Sequence, residues 1–240
     1  MSPIGSVRAT MLHDLDDELI IDNFEDAPDG PFESGDDLDT YYTIVGESSH
    51  KWERDSGSVQ GATSLRGQYA LALTSGGNGS SNWRNMFSLP GDGLPNYPNP
   101  GDTVRCLIQN PGDDKDPAFY ANVESNGDCF SIGMHNGLSE LEIHSFNADS
   151  NNDSDNNQLA STNISISSST WYWLEIHTAS SDNNVEASLY DVELEENSLV
   201  RGSHHGTVEA DDRHTGRGIG FGYSSRSNTG IMFDEVAILP

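Results

Sequence analysis

The chain of 240 residues is long enough for one large or two small domains, and it sets 39 acidic residues against 11 basic ones, a formal net charge of −28. No basic stripe exists to neutralise phosphates, which excludes nucleic acid as a partner, and no run approaches the roughly 20 apolar residues of a membrane span. Four Trp, eight Tyr and eight Phe within a 34% hydrophobic composition supply enough apolar area for a core, which excludes a disordered chain. So many like charges destabilise a compact state in dilute salt. Molar salt shortens the screening length to about 3 Å and removes that penalty, so the composition reads as a protein of very salty water with a solvated acidic surface.

In chain order, residues 1–18 lack periodicity and read as an extended N-terminal arm, without the basic start and apolar stretch of a secretory leader. An arm with no core of its own orders only by docking on something, so it is expected to serve as an assembly contact. From residue 19 to residue 240 the pattern is one of short β-type runs separated by Gly, Asn, Asp, Ser and Pro clusters. Strands are predicted over 19–24, 41–45, 69–74, 83–88, 103–109, 119–124, 129–134, 141–146, 171–178, 185–191, 218–223 and 231–239, with no helix. About a dozen strands at even spacing predict an all-β domain of two packed antiparallel sheets. The stretch from Asn147 to Asn157 is expected to be an exposed loop, and His204 and His205 fall in a Gly/Ser segment expected to be solvated. Cys106 and Cys129 each sit in a strand, either as two buried thiols or as a cross-strand disulfide.

Period-two reading points to a site. In the strand from Trp171, the side chains of Tyr172, Leu174 and Ile176 share one face, and Trp171, Trp173, Glu175 and His177 share the other. The strand from Glu140 repeats the arrangement, with Glu140, Glu142 and His144 opposite Leu141 and Ile143, and the tetrapeptide Leu-Glu-Ile-His occurs in both. If the two strands lie in one sheet, their outer face combines aromatic surfaces, carboxylates and imidazoles, a mixture suited to stacking on sugar rings and bonding hydroxyls. The competing reading is that a loop, the arm or a neighbouring subunit covers the tryptophans. A zinc site from His144, His177, Glu142 and Glu175 is conceivable, although no zinc-binding spacing supports it. Catalytic and nucleotide motifs of the nucleophile-elbow, P-loop and dinucleotide types do not occur.

The opening Ile21-Asp22-Asn23-Phe24-Glu25-Asp26, then Leu71-Ala72-Leu73, Pro100-Gly101-Asp102-Thr103-Val104, Thr170-Trp171-Tyr172, Gly218-Ile219-Gly220-Phe221 and the closing Phe233-Asp234-Glu235-Val236 follow one another in a telling order. In that order the chain resembles the concanavalin-A-like, or laminin-G-like, lectin/glucanase sandwiches, and among them a type found in haloarchaeal proteins and tailed viruses. The resemblance implies a jelly-roll β-sandwich with adjacent first and last strands, and a role in carbohydrate recognition or adhesion. It also implies that a structural Ca²⁺ ion, the one cofactor it admits, would draw on Asp22, Glu25, Asp26 and Asp234. Glycosidases of this fold carry paired carboxylates on one strand, whereas Glu140-x-Glu142-x-His144 places an imidazole at the third position, so no catalytic activity is expected. The resulting expectation is a virion-surface structural protein of a haloarchaeal tailed virus, a head turret, decoration or tail-tip adhesin. It would be mounted as a trimer or pentamer, with contacts to other virion proteins through residues 1–18, and would touch host cell-surface glycan. The alternative is a carbohydrate-binding or polysaccharide-degrading extracellular sandwich of a halophile.

Overall fold

The computed structural model describes residues 18–22, 24, 31–32, 42–45, 51–55, 70–75, 85–110, 112, 116–135, 139–147, 157–195, 198–211, 214–223 and 231–240. The expected arm, apart from Glu18, and the expected loop between Asn147 and Asn157 lie outside these residues. The described residues form strands and no helix, so no helix among them is long and apolar enough to cross a membrane.

In chain order the strands are β1 (Leu19–Asp22), β2 (Pro31–Phe32), β3 (Thr43–Val45), β4 (Lys51–Asp55), β5 (Ala70–Ser75), β6 (Asn85–Ser88), β7 (Thr103–Asn110) and β8 (Pro117–Val123). They continue as β9 (Cys129–His135), β10 (Glu140–Phe146), β11 (Asn157–Asn163), β12 (Thr170–His177), β13 (Val185–Glu195), β14 (Ser198–Ala210), β15 (Gly218–Tyr223) and β16 (Met232–Leu239). All twelve predicted strands are present to within a few residues. Four more were not predicted: the short β2, β4, the polar β11 and the thirteen-residue β14. His204 and His205 therefore stand on a strand, not in a loop. His205 Nε2 is bonded to Asp191 Oδ1 at 2.7 Å and His204 Nε2 to Thr207 Oγ1 at 2.9 Å.

Two antiparallel sheets result. One has nine strands, in the order β14-β13-β12-β7-β16-β5-β4-β2 with β1 also on β16, and the other has seven, in the order β11-β10-β9-β8-β15-β6-β3. The first and last strands are adjacent, Leu19 opposite Ile238 and Asp22 opposite Val236. The architecture is an antiparallel two-sheet jelly-roll β-sandwich. Alternate residues of both sheets fill one core: Val104, Cys106, Ile108, Tyr172, Leu174 and Ile176 from the nine-stranded sheet face Phe119, Phe130, Ile132, Leu141, Ile143 and Phe221 from the seven-stranded one.

Alternation breaks where the chain needs an irregularity. Met232 points outward and Phe233 inward, yet Val236 also points inward, because Asp234 and Glu235 form a bulge against β7. Glu235 takes a positive φ of 46°, and its N–H donates to Asp234 Oδ1 at 2.7 Å. A second irregularity lies at Asn122, which is buried with a φ of 53°. Its amide donates to the carbonyls of Ala179 and Gly216, both at 3.1 Å, and accepts from Ala179 N–H at 2.9 Å, so one side chain ties three segments together. Asn tolerates the left-handed region that this position demands.

Cys106 faces the central core from β7, whereas Cys129 lies in a separate cluster on the outer face of the seven-stranded sheet. They are two free, buried thiols and not a disulfide, and burial pushes both thiols far above their ordinary range.

Replacing Asn122 is expected to destabilise the sandwich by about 2–4 kcal/mol, since two carbonyls and an amide lose their partner inside the protein. Asn122→Gly, which relieves the positive φ, should cost about 1 kcal/mol less than Asn122→Ala. Denaturant titration of both variants checks this ordering; equal losses would show that φ plays no part.

Candidate functional site

The face assignments read from the sequence hold, but the strands part company. β12 is the third strand of the nine-stranded sheet and β10 the second of the seven-stranded one. Both present Leu and Ile to the same core from opposite sides. Their outer residues therefore point in opposite directions, and Trp171, Trp173, Glu175 and His177 do not share a surface with Glu140, Glu142 and His144. The same separation removes the zinc constellation of His144, His177, Glu142 and Glu175.

The outer face of the nine-stranded sheet is closed. Bulges between Leu189 and Val192 bend the β13–β14 hairpin so that its far end lies over this face. Leu199, Tyr190 and Val192 pack there with Trp171, Trp173, Leu107, Met232, Ala70 and Ala72 in a second small core. Trp173 is 1% exposed and Trp171 6%, and the Trp173 indole N–H donates to the Val200 carbonyl at 3.2 Å. The Arg105 guanidinium stacks 4.2 Å from the Trp173 ring centroid and pairs with the buried Glu18 carboxylate. Glu175 stands directly across from Arg105 and bonds Arg201 at 2.8 Å, while Arg201 lies 5.1 Å from the centre of the Tyr190 ring. His177 Nδ1 meets Thr103 Oγ1 at 3.3 Å. The expected aromatic platform is thus an interior: strand β14, whose Gly, Ser and His content hid it from period-two reading, supplies the cover.

The outer face of the seven-stranded sheet carries a buried cluster of its own. Phe87, Tyr120 and Phe146 form a buried aromatic floor with centroid spacings of 5.1, 5.5 and 6.1 Å. Beside it the register builds polar rows. Gln158, His144, Ser131 and Tyr120 stand in line across β11, β10, β9 and β8. The neighbouring row runs from Ser161 through Glu142 and Gly133 to Ala118. Glu140 is opposite Asn163. His144 Nε2 and Glu142 Oε2 are 2.5 Å apart, a charge-assisted contact that fixes both rotamers. Gln158, Ser161 and Asn163 are exposed, Glu142 is 3% exposed and Ser131 is 1% exposed, with no hydrogen-bond partner for its Oγ. The exposed edge offers the amides of Gln158 and Asn163 and the Ser161 hydroxyl, with the Glu142 carboxylate and the His144 imidazole beside them, groups whose chemistry suits bonding to hydroxyls. Glu140, Glu142 and His144 were legible in the sequence. Ser131, Gln158, Ser161 and Asn163 were not, because only the register shows which residues stand beside them.

The residues named for calcium are met in part. Asp22 and Asp234 lie on the adjacent strands β1 and β16, while Glu25 and Asp26 lie outside the described residues. Both Asp22 oxygens are engaged by the protein: Oδ1 accepts from Phe24 N–H at 2.7 Å and Oδ2 from the Tyr42 hydroxyl at 2.6 Å. A Ca²⁺ ion takes six to eight oxygens, and among the described residues, which include Asp22 and Asp234 but not Glu25 and Asp26, no three metal-ligating side chains stand together. Asp22 instead holds Phe24 at a φ of 56°, with its ring against Phe221 at 5.5 Å.

No family model and no curated protein matches the chain. Among solved structures, it is similar to a protein of unknown function from Shewanella oneidensis, with 11% identity and a TM-score of 0.47 over 82% of this chain and 77% of that one. It is also similar to lectin II from Ulex europaeus, with 7% identity and a TM-score of 0.41 over 82% and 92% of the two chains. A third is a glycosyl hydrolase family protein from Mycobacterium fortuitum, with 12% identity and a TM-score of 0.39 over 88% and 95%.

Trp173→Ala is expected to cost about 3–5 kcal/mol of stability, the range for a buried large aromatic, and to lower the thermal midpoint accordingly. An unchanged midpoint would mean that the ring faces solvent after all. Burial, reinforced by the Asp22 carboxylate, raises the Tyr42 phenol well above its ordinary value near 10. The folded state then holds this proton more tightly than the unfolded state, so stability falls as pH rises past about 10. An absorbance titration should leave the Tyr42 phenol protonated until the protein unfolds, and Tyr42→Phe should remove that late step.

Proposed function

We propose that the chain is a carbohydrate-binding sandwich that receives glycan on the outer face of its seven-stranded sheet. The observation that carries this reading is the polar field made by Glu142, His144, Gln158 and Ser161 beside a rigid aromatic floor. Backbone pairing on both sides holds Glu142 and His144 in place, so little ordering is left for the moment of binding. The opposite outer face, packed under the β13–β14 hairpin, leaves the tryptophans no part in stacking on sugars.

In its finer form the proposal is a virion-surface protein of a haloarchaeal tailed virus, either a head turret or decoration or a tail-tip adhesin. A formal net charge of −28 supports work in very high salt. The sequence motifs support the viral type of sandwich. The reading has the chain mounted as a closed homo-oligomer through residues 1–18, with weak single sites strengthened by multivalency. The chain binds and does not cleave. Glycosidases need two carboxylates about 5–5.5 or 6.5–9.5 Å apart, one of them a free acid, whereas Glu142 is engaged by His144 at 2.5 Å.

The test is attachment of labelled full-length protein to haloarchaeal cells in molar salt. Glu142→Gln and His144→Ala should each reduce attachment about tenfold or more, because a charge-assisted hydrogen bond is lost, and His144→Ala should also lower the thermal midpoint because it takes that partner from the buried Glu142 carboxylate. Attachment unaffected by both variants, or release of reducing ends from envelope polysaccharide, overturns the reading. Mass measurement in solution of the full chain and of a form lacking residues 1–18 checks the assembly: a closed oligomer should become a monomer, and a full chain that is already monomeric removes the virion form of the proposal.

A further inference from the structure

One acceptor motif for sugar attachment falls among the described residues. Asn163-Ile164-Ser165 has the form Asn-x-Ser, with x other than proline, that N-glycosylation requires. Asn78-Gly79-Ser80 and Asn152-Asp153-Ser154 have the same form but lie outside those residues. A motif this short has meaning only where the fold presents it. Ile164 is buried in the central core, while Asn163 and Ser165 on either side of it are exposed. Thr162 and Ile164 turn toward β14, where a Cβ built on Gly206 would lie 3.2 Å from a methyl of each. The intervening Asn163 is left on the opposite side, so the amide and the Ser165 hydroxyl that a transferase reads are both open to it. Among the described residues nothing bonds the Asn163 side chain, so no partner in the fold competes for the amide.

The strand that carries this asparagine gives the modification a physical use. β11 ends the seven-stranded sheet, and among the described strands only β10 pairs with it. A bulge at Leu159 interrupts its first half, but Ala160 to Asn163 pair regularly with Ile143 to Glu140. An open strand edge is a template for pairing with another chain, and charged residues, proline, bulges or a cover normally blunt it. The run Asn157–Asn163 holds no charged residue and no proline, and its regular half has no bulge. In molar salt the repulsion between acidic surfaces reaches only about 3 Å, so charge elsewhere does not keep copies apart. A bulky, hydrated sugar on the last residue of the strand does.

We infer that Asn163 is an N-glycosylation site whose sugar guards the β11 edge against pairing with a second copy of the chain. The donor is an oligosaccharide carried on a lipid phosphate or diphosphate. In the transfer, the bond from sugar C1 to the carrier's phosphate oxygen breaks and a bond from C1 to Asn163 Nδ2 forms. The amide gives up one proton to a base of the transferase, and the lipid phosphate leaves. The sugar starts beside Glu140, which pairs with Asn163, at the end of the polar field away from His144. The modification is independent of glycan binding at that field, since it concerns what the chain carries and not what it binds.

The experiment uses the full-length protein made in a haloarchaeal host whose own envelope proteins carry N-linked glycan. Intact-mass measurement should show chains heavier by an oligosaccharide, and fragmentation that preserves the linkage should place it on Asn163. Asn163→Gln and Ser165→Ala should each abolish the adduct at that residue, and Ser165→Thr should keep it, since threonine also fulfils the motif. Both side chains are exposed, so all three variants should fold with an unchanged thermal midpoint. In molar salt, light scattering should show larger particles for Asn163→Gln than for the wild type. An unmodified Asn163, with or without sugar on Asn78 or Asn152, overturns the assignment. A modified Asn163 whose replacement leaves particle size unchanged overturns the guarding role.

Discussion

Phe221 is the point at which the two sheets are pinned to each other. It projects inward from β15 and meets Phe233 of β16, across the core, at a centroid distance of 5.1 Å. Phe119 from its own sheet packs at 5.6 Å, while Phe24 and Tyr42, from the start of the chain, close around it at 5.5 and 5.8 Å. Edge-to-face aromatic pairs add to the apolar burial and restrict how the sheets can slide. Register in the seven-stranded sheet depends on this anchor. Gly220, beside Phe221, faces the other side of the sheet, where a Cβ would come within 2.3 Å of the Met86 carbonyl and 2.5 Å of the Phe87 ring. Asp22 belongs to the same assembly: by bonding Phe24 N–H and the Tyr42 hydroxyl, it holds two of the rings that surround Phe221. A carboxylate in that position stabilises the fold.

The scarcity of cations gives each one structural weight. A surface carboxylate in this chain is solvated and needs no partner, but Glu18 and Glu175 are buried, at 8% exposure each, and an unpaired buried charge is costly. Arg105 and Arg201 stand against them, and both guanidiniums also lie over aromatic rings of the same small core. Arg suits such sites because its planar group bonds a carboxylate and stacks on a ring at the same time. Among the described basic residues, Arg105 is itself buried against Glu18, and Arg201, which is exposed, reaches in to the buried Glu175.

Much of the fold was legible because alternation is a local property. The inward set Tyr172, Leu174 and Ile176, and the pair Leu141 and Ile143, follow directly from period two. Alternation says which side faces the core but not which sheet a strand joins. The two Leu-Glu-Ile-His strands have the same inward pattern, and for that reason they can sit on opposite sides of one core, which sends their outer residues apart. The edge strands β11 and β14 escaped notice for a related reason. Edge strands with exposed, polar or Gly-containing sequences need no hydrophobic alternation, and Asn157–Asn163 and Ser198–Ala210 have little. Bulges were equally hidden. Nothing in Asp234-Glu235 signals that two successive residues will share the outer side until the pairing with β7 is known.

The two outer faces then follow from what each edge of its sheet does. The nine-stranded sheet ends in β14, which is long enough to pair with β13 and still turn its beginning back over the face, so Leu199 and Val200 reach Trp173. The seven-stranded sheet ends in β11, seven residues long and exposed along much of its length. Hydrophobic residues on the first face became a core because a cover was available to bury them. On the second, the residues nearest the β11 edge are glutamates, a histidine, hydroxyls and amides. Large apolar patches do not persist on a solvated surface, whereas polar groups held by a rigid ladder do. At that edge Gln158, Ser161 and Asn163 are exposed, while Glu142 beside them is buried in its pairing with His144.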